Sequence, residues 1–257
     1  EMVSCDWSSD VCSSDLVHIA EWDGWARGAG IALPLVMGHE FCGDVVALGE
    51  AVAGLAPGDY VAGDTHIACG ACFQCRRGLA HICRHLQLFG IHCQGSFAEY
   101  AVLPASCAVR ISPAIPPRVA AILEPLGTSL RAALEVAPGG ETVAVTGCGP
   151  IGLFAIAAAR AVGAARIVAT DVLDDRLALA RRMGADVALH AGRVDMAAEV
   201  LRLTGGVGAD AVIEASGSPP AIQQAFACLR KGGRVAMIGL PSAPVPLQLG
   251  TAVVFKE

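Results

Sequence analysis

The chain has 257 residues, of which 54% are apolar, and its eighteen basic and twenty-four acidic side chains leave a net charge of −6. That length supports two domains, each with its own core, and no basic block is present that would neutralise a nucleic-acid backbone or an anionic lipid surface. Nucleic acid and membrane are therefore not expected partners, and the most apolar long segment, Ile151 to Thr170, is broken by Arg160, Gly163 and Arg166 and does not read as a spanning helix.

Residues Glu1 to Leu16 differ from the rest. They contain S-S-D-V repeated as S-S-D-L and show no period that would bury a face. They resemble translated sequencing-adapter sequence, so residues 1–16 are expected to be foreign and disordered and are excluded from the fold. From Val17 onward, short apolar runs alternate with Gly and Pro: Leu33 to Met37, Gly43 to Leu48, Tyr60 to Ala62, Phe97 to Leu103 and Ala108 to Ile111. This spacing predicts a β-rich domain over 17–120. Pro116 and Pro117 mark a transition, and the period then changes. Strands at Thr142 to Thr146, Arg166 to Thr170, Val187 to Leu189, Ala211 to Glu214 and Arg234 to Ile238 alternate with helices at Pro150 to Val162, Asp175 to Met183, Val194 to Leu203 and Ala221 to Leu229. Near-continuous apolar strands separated by such helices predict a doubly wound parallel sheet, of α/β class, over 121–257.

Cys69, Cys72, Cys75 and Cys83 are spaced C-x2-C-x2-C-x7-C. Short loops of this kind bring four thiolates around one Zn²⁺, and a closed site with four thiolates holds structure and leaves no position for a substrate. The cysteines outside this run and the first sixteen residues are scattered among apolar residues, a pattern that fits a reducing cytoplasm and small core side chains. In the second half, Gly147, Gly149 and Gly152 form G-x-G-x-x-G between a predicted strand and a predicted helix. Asp171 ends the next strand. Gly147 allows the tight turn, Gly149 lets the backbone approach a pyrophosphate, and Gly152 lets helix and strand pack closely. Pro150 removes an amide that has no helical partner, and the N–H groups that remain face phosphate, with Ile151 in the same first turn. Asp171 suits an adenosine ribose and repels a 2′-phosphate, which favours NAD over NADP.

Gly38-His39-Glu40 followed by Gly43, Gly49 and Val52 reads G-H-E-x2-G-x5-G-x2-V. Together with the cysteine run and the glycine loop it resembles the zinc-dependent medium-chain dehydrogenase/reductase (alcohol dehydrogenase) family. The resemblance covers Val17 to the end and implies a GroES-like catalytic domain followed by a Rossmann NAD-binding domain. It implies two zinc ions. One is a catalytic zinc at His39, Glu40 and Glu124, and the other is a structural zinc at Cys69, Cys72, Cys75 and Cys83. It also places Arg176 near the adenosine of NAD. The segments Val17 to Trp25 and Thr65 to Cys69 look most like L-threonine 3-dehydrogenases, which implies His66 near the substrate and His18 at the end of a proton relay. The alternatives are a cap on the cysteine loop for His66 and a surface position for His18. The family's first catalytic-zinc cysteine has Ser13 as its ungapped counterpart, and Cys12 lies one position away. The resemblance further implies a secondary-alcohol substrate, L-threonine at C3 or alternatively a polyol such as sorbitol or xylitol. It implies a homo-oligomer for the full-length protein, and a chain that ends short of the family's last strand and helix. The competing expectation is a fragment that binds NAD and structural zinc without turnover.

Overall fold

The fold comes from a computed structural model that describes residues 2–4, 19, 22, 24–136, 139–241, 244–254 and 256. It divides into two compact units, Glu1–Pro125 and Leu126–Glu257, so the division falls five residues later than the expected domain bound at residue 120.

The first unit is built on a five-stranded antiparallel sheet. Strand β1 is Met2–Ser4, β2 is Cys42–Ala47, β3 is Tyr60–Gly63, β6 is Tyr100–Val102 and β7 is Ala108–Arg110, in the order β6-β1-β2-β3-β7. A two-stranded sheet pairs β4, His66–Ile67, with β5, Gln87–Leu88. Along β2, Val45 is buried between exposed Asp44 and exposed Val46, as one packed face of a pleated strand requires. Phe41, Val45, Val61, Phe89, Ala101, Leu103 and Cys107 fill the core on that side, with the Phe41 and Phe89 ring centroids 5.4 Å apart.

Two expectations are corrected here. Residues 2–4, excluded on sequence, lie in the sheet with Val3 opposite Val45 and Ala101. The run Leu33 to Met37 is not a strand. Pro34 has no amide to donate, and the Val36 amide donates to the Gln94 side chain. The segment is held instead by single bonds from Gly95 N to Val36 O and from Phe97 N to Met37 O.

In the second unit a parallel sheet runs β10-β9-β8-β11-β12. Its strands are β8 Thr142–Thr146, β9 Arg166–Asp171, β10 Val187–His190, β11 Ala209–Glu214 and β12 Leu229–Met237. The helices are α1 Gly24–Gly28, α2 Phe73–Arg76 and α3 Pro117–Ala120 in the first unit, then α4 Leu123–Val136, α5 Pro150–Ala161, α6 Asp174–Met183, α7 Met196–Leu203 and α8 Pro219–Cys228. Successive strand residues point to opposite faces. Val143, Val145, Ile167 and Ile213 pack with Ala155 and Ile156 of α5, while Ala144, Val168 and Val212 pack with Met196, Val200 and Ala225 of α7 and α8. Both faces are thus covered, and this explains the continuous apolar strands. The chain enters at β8, winds outward through β9 and β10, then returns to β11, so the strand order reverses between β8 and β11. Among the described residues no helix is long and apolar enough to cross a membrane.

Candidate active site

The loop between β4 and β5 carries the four cysteines. It bends at Gly70 (φ +70°) and Gly78 (φ +75°) around the short helix α2. Their sulfur atoms all lie within 4.8 Å of one another, with Cys72 Sγ 3.4 Å from Cys75 Sγ and 3.8 Å from Cys83 Sγ. A tetrahedron with Zn–S bonds near 2.3 Å has S···S edges of about 3.8 Å, so these donors fit a zinc ion. Amide donors at Cys75 and Arg84 draw the Cys72 thiol down to about 6, whereas burial and the neighbouring thiols push Cys75 up to about 12.

The second cluster joins His39, Glu40 and Glu124, whose ligand atoms also lie within 4.8 Å of one another. His39 is buried and follows Gly38, whose φ of +97° and lack of a side chain are both required. A Cβ on Gly38 would lie 2.3 Å from the Phe97 ring, and Cβ atoms on Gly90 or Gly95 would lie 2.2 Å from the Gly38 carbonyl oxygen. Three glycines packed backbone to backbone therefore set where His39 stands. Glu124 comes from the first turn of α4, and Thr65 Oγ1 donates to its Oε1 at 2.8 Å. The next residue, His66, has Nδ1 2.8 Å from Asp64 Oδ1, and the same oxygen accepts from His66 N at 2.9 Å. This hydrogen bond is the main cause that raises the His66 pKa above its ordinary value; burial opposes it. The Asp64 carboxyl is lowered in turn, first by the His66 side chain. An imidazole and two carboxylates form a nitrogen and oxygen donor set suited to zinc, and the hydroxyl and carboxylate behind them orient the groups in front. His18, Cys12 and Ser13 lie outside the described residues.

In the second unit Gly147 follows β8 at φ +84°, and its amide donates to Thr170 O at 2.8 Å. A Cβ on Gly152 would lie 1.8 Å from Gly147 O, whereas one on Gly149, the residue that caps α5, would meet nothing within 4 Å. Gly152 is thus demanded by packing of the protein itself, and Gly149 leaves open the space a pyrophosphate would fill. Pro150 opens the helix, and Ile151 O accepts from Ser129 Oγ at 2.9 Å. Asp171, expected beside an adenosine ribose, directs its carboxylate to the backbone of the neighbouring turns. It is 7% exposed, its Oδ2 accepts from Cys148 N at 2.7 Å, and its Oδ1 accepts from Val172 N and Leu173 N. Arg176 Nη1 lies 3.8 Å from Asp171 Oδ2. Loop donors and the strand-end carboxylate thus hold each other in place, with the Asp171 charge at the mouth of the loop.

Two family models match this chain, the alcohol dehydrogenase GroES-like domain over residues 7–113 and the zinc-binding dehydrogenase domain over residues 150–257. The L-threonine 3-dehydrogenase of Bacillus subtilis (strain 168) is 44% identical over 249 residues, covering 97% of this chain and 71% of the relative. The chain belongs to the zinc-binding alcohol dehydrogenase family. Among solved structures, the alcohol dehydrogenase TADH from Thermus sp. ATN1 superposes with a TM-score of 0.85 at 32% identity, covering 97% of this chain and 73% of that one. Galactitol-1-phosphate dehydrogenase from Escherichia coli superposes with a TM-score of 0.86 at 27% identity, covering 99% and 73%. The family consists of medium-chain oxidoreductases that act on alcohols with zinc and a nicotinamide dinucleotide.

Three residues of these sites escape a reading of the sequence alone. Asp64 and Thr65 form the two-residue link between β3 and β4, and only the local contact of Asp64 with His66 and the long-range contact of Thr65 with Glu124 single them out. Glu214 did leave a signal, a carboxylate at the end of an otherwise apolar buried strand.

Proposed function

We propose that this chain oxidises the C3 hydroxyl of L-threonine, or of a closely similar secondary alcohol, with NAD+. In this reading His39, Glu40 and Glu124 hold a catalytic zinc, and Cys69, Cys72, Cys75 and Cys83 hold a structural one. The observation that carries it is the cluster of His39, Glu40 and Glu124, with Thr65 bonded to Glu124 and the Asp64–His66 pair next to Thr65 in the chain. When bound, zinc supplies a Lewis acid that acidifies an alcohol hydroxyl, and NAD+ supplies the hydride acceptor. The protein's own groups do the positioning. Thr65 fixes one oxygen of Glu124 and so leaves the other to face the metal position. Asp64 holds His66 through Nδ1, which keeps the imidazole oriented, favours its protonated form and leaves Nε2 as a donor toward a substrate carboxylate. His18 would complete a proton relay. At the second unit the Asp171 charge disfavours a 2′-phosphate and supports NAD over NADP.

The described cysteines are all unbridged, in keeping with a reducing cytoplasm, and a dimer or tetramer of the full-length protein belongs to the same reading. The test is metal analysis together with NADH formation. Two zinc per chain and L-threonine-dependent NADH formation support the enzyme. One zinc and no alcohol-dependent NADH would leave a fragment that binds without turnover.

A further inference from the structure

Glu214, at the C-terminal end of β11, is wholly enclosed, and among the described residues it has no ion-pair partner. Its register partner is Thr146, the residue before Gly147. Open α/β sheets bind ligands outside the carboxyl ends of their strands where the strand order reverses, and here that point lies between β8 and β11, at Thr146 and Glu214.

Hydrogen-bond donors satisfy the carboxylate. Its Oε1 accepts from Thr146 Oγ1 at 3.1 Å, Ser216 N at 2.9 Å, Ser216 Oγ at 2.5 Å and Gly217 N at 3.1 Å, and its Oε2 lies 3.2 Å from Gly217 N. These bonds draw the turn after β11 back over the sheet. Gly217 takes φ +64°, and a Cβ there would lie 2.4 Å from Leu240 O. A Cβ on Gly239 would lie 2.6 Å from Glu214 Oε2, and a Cβ on Gly147 would lie 2.9 Å from Ser216 Cβ. The turn is thus packed directly against the first glycine of the loop. A buried ionic group can often be replaced by an apolar one of similar volume without loss of stability, so filling the core does not require a carboxylate here. Gathering donors from two strand ends onto one side chain does require one.

We infer that Glu214 is a positioning residue of the dinucleotide site: it clamps the Ser216–Gly217 turn against Gly147 and so fixes the β11 wall of the nucleotide crevice. The inference rests on the reading of the glycine loop as the NAD site. The experiment titrates NADH fluorescence on the unmutated 257-residue chain, on Glu214→Gln and on Thr146→Val. Glutamine keeps one acceptor oxygen but sets an amide donor in place of the other, facing the Gly217 amide. NADH binding is expected to weaken about tenfold in Glu214→Gln, and by a smaller factor in Thr146→Val, which loses one hydroxyl donor. Val200→Ala, a core truncation between α7 and the sheet, serves as the reference for a purely structural role: it lowers the melting temperature and leaves the NADH affinity of the folded chain unchanged. A folded Glu214→Gln chain that behaves like Val200→Ala overturns the inference. If that variant does not fold, unchanged NADH affinity in Thr146→Val overturns it. Failure of the unmutated chain to bind NADH is a separate result, and it sinks the reading of the glycine loop itself.

Discussion

Replacing Thr65 by Val tests the geometry of the metal cluster with little change in shape. The side chain is 3% exposed, and its hydroxyl donates to Glu124 Oε1 at 2.8 Å. Valine keeps the volume and removes the donor. A hydrogen bond to a charged group contributes about 1.5–3 kcal/mol, and 1.4 kcal/mol is about a factor of ten. That corresponds to zinc binding weakened by about 10–100-fold, the range typical for loss of a group that orients a metal ligand. The assay is competition for zinc with a chromophoric chelator, which reports the weaker site separately from the tight four-cysteine site. Thr65→Ser restores the hydroxyl and should recover most of the affinity. In a double-mutant cycle with Glu124→Ala, which removes the acceptor, the effect of Thr65→Val should largely disappear, because the two side chains act through one bond. Zinc affinity in Thr65→Val equal to that of the unmutated chain would refute the assignment of Glu124 as a ligand oriented by Thr65.

Other outcomes follow from the same contacts. Asp64 raises the His66 pKa, so the protonated imidazole is present at low pH and is lost as pH rises through that raised value. Asp64→Asn should move this loss to lower pH, read as a downward shift in the pH at which KM for L-threonine begins to rise, with kcat less affected. Gly152→Ala places a Cβ 1.8 Å from Gly147 O, so the loop must move. Overpacking of this kind costs about 1–3 kcal/mol, and if that strain falls on the loop NADH titration should show binding about 5–100-fold weaker. Cys75→Ser removes one of four thiolates, so the zinc count should fall by one per chain and the thermal midpoint should drop, while zinc at the His39 cluster remains.

The second unit was legible because its strands are buried on both faces. Thr142 to Thr146 was bounded as observed, and β9 and β10 differ from expectation by one residue. The first unit was less legible. An antiparallel sheet with one solvated face carries a weaker pattern, and the apolar run Leu33 to Met37 proved to be a segment held by single bonds to residues 94–97. Residues 2–4 showed no period of their own, and they form a strand only because β2 and β6 offer their edges. Asp171 was found at its strand end, but the direction of its carboxylate was not, since that depends on the Cys148 amide placed by the turn at Gly147.

The sequence by itself determined the chemistry available: four thiolates at metal spacing, a histidine and carboxylates that match a zinc site, and a glycine loop followed by an acidic residue. Spacing along the chain suffices for the cysteine run and the glycine loop, because each closes within a short loop or one turn, whereas the pairing of His39 with Glu124 came from the family resemblance. Only the tertiary structure decided which groups stand behind those residues. Asp64 reaches His66 through a bend two residues long, Thr65 reaches Glu124 across 59 positions, and Glu214 reaches Thr146 across 68. No local period records the last two: Thr65 meets the start of α4, and Glu214 meets Thr146 because the parallel sheet sets the ends of β11 and β8 in register.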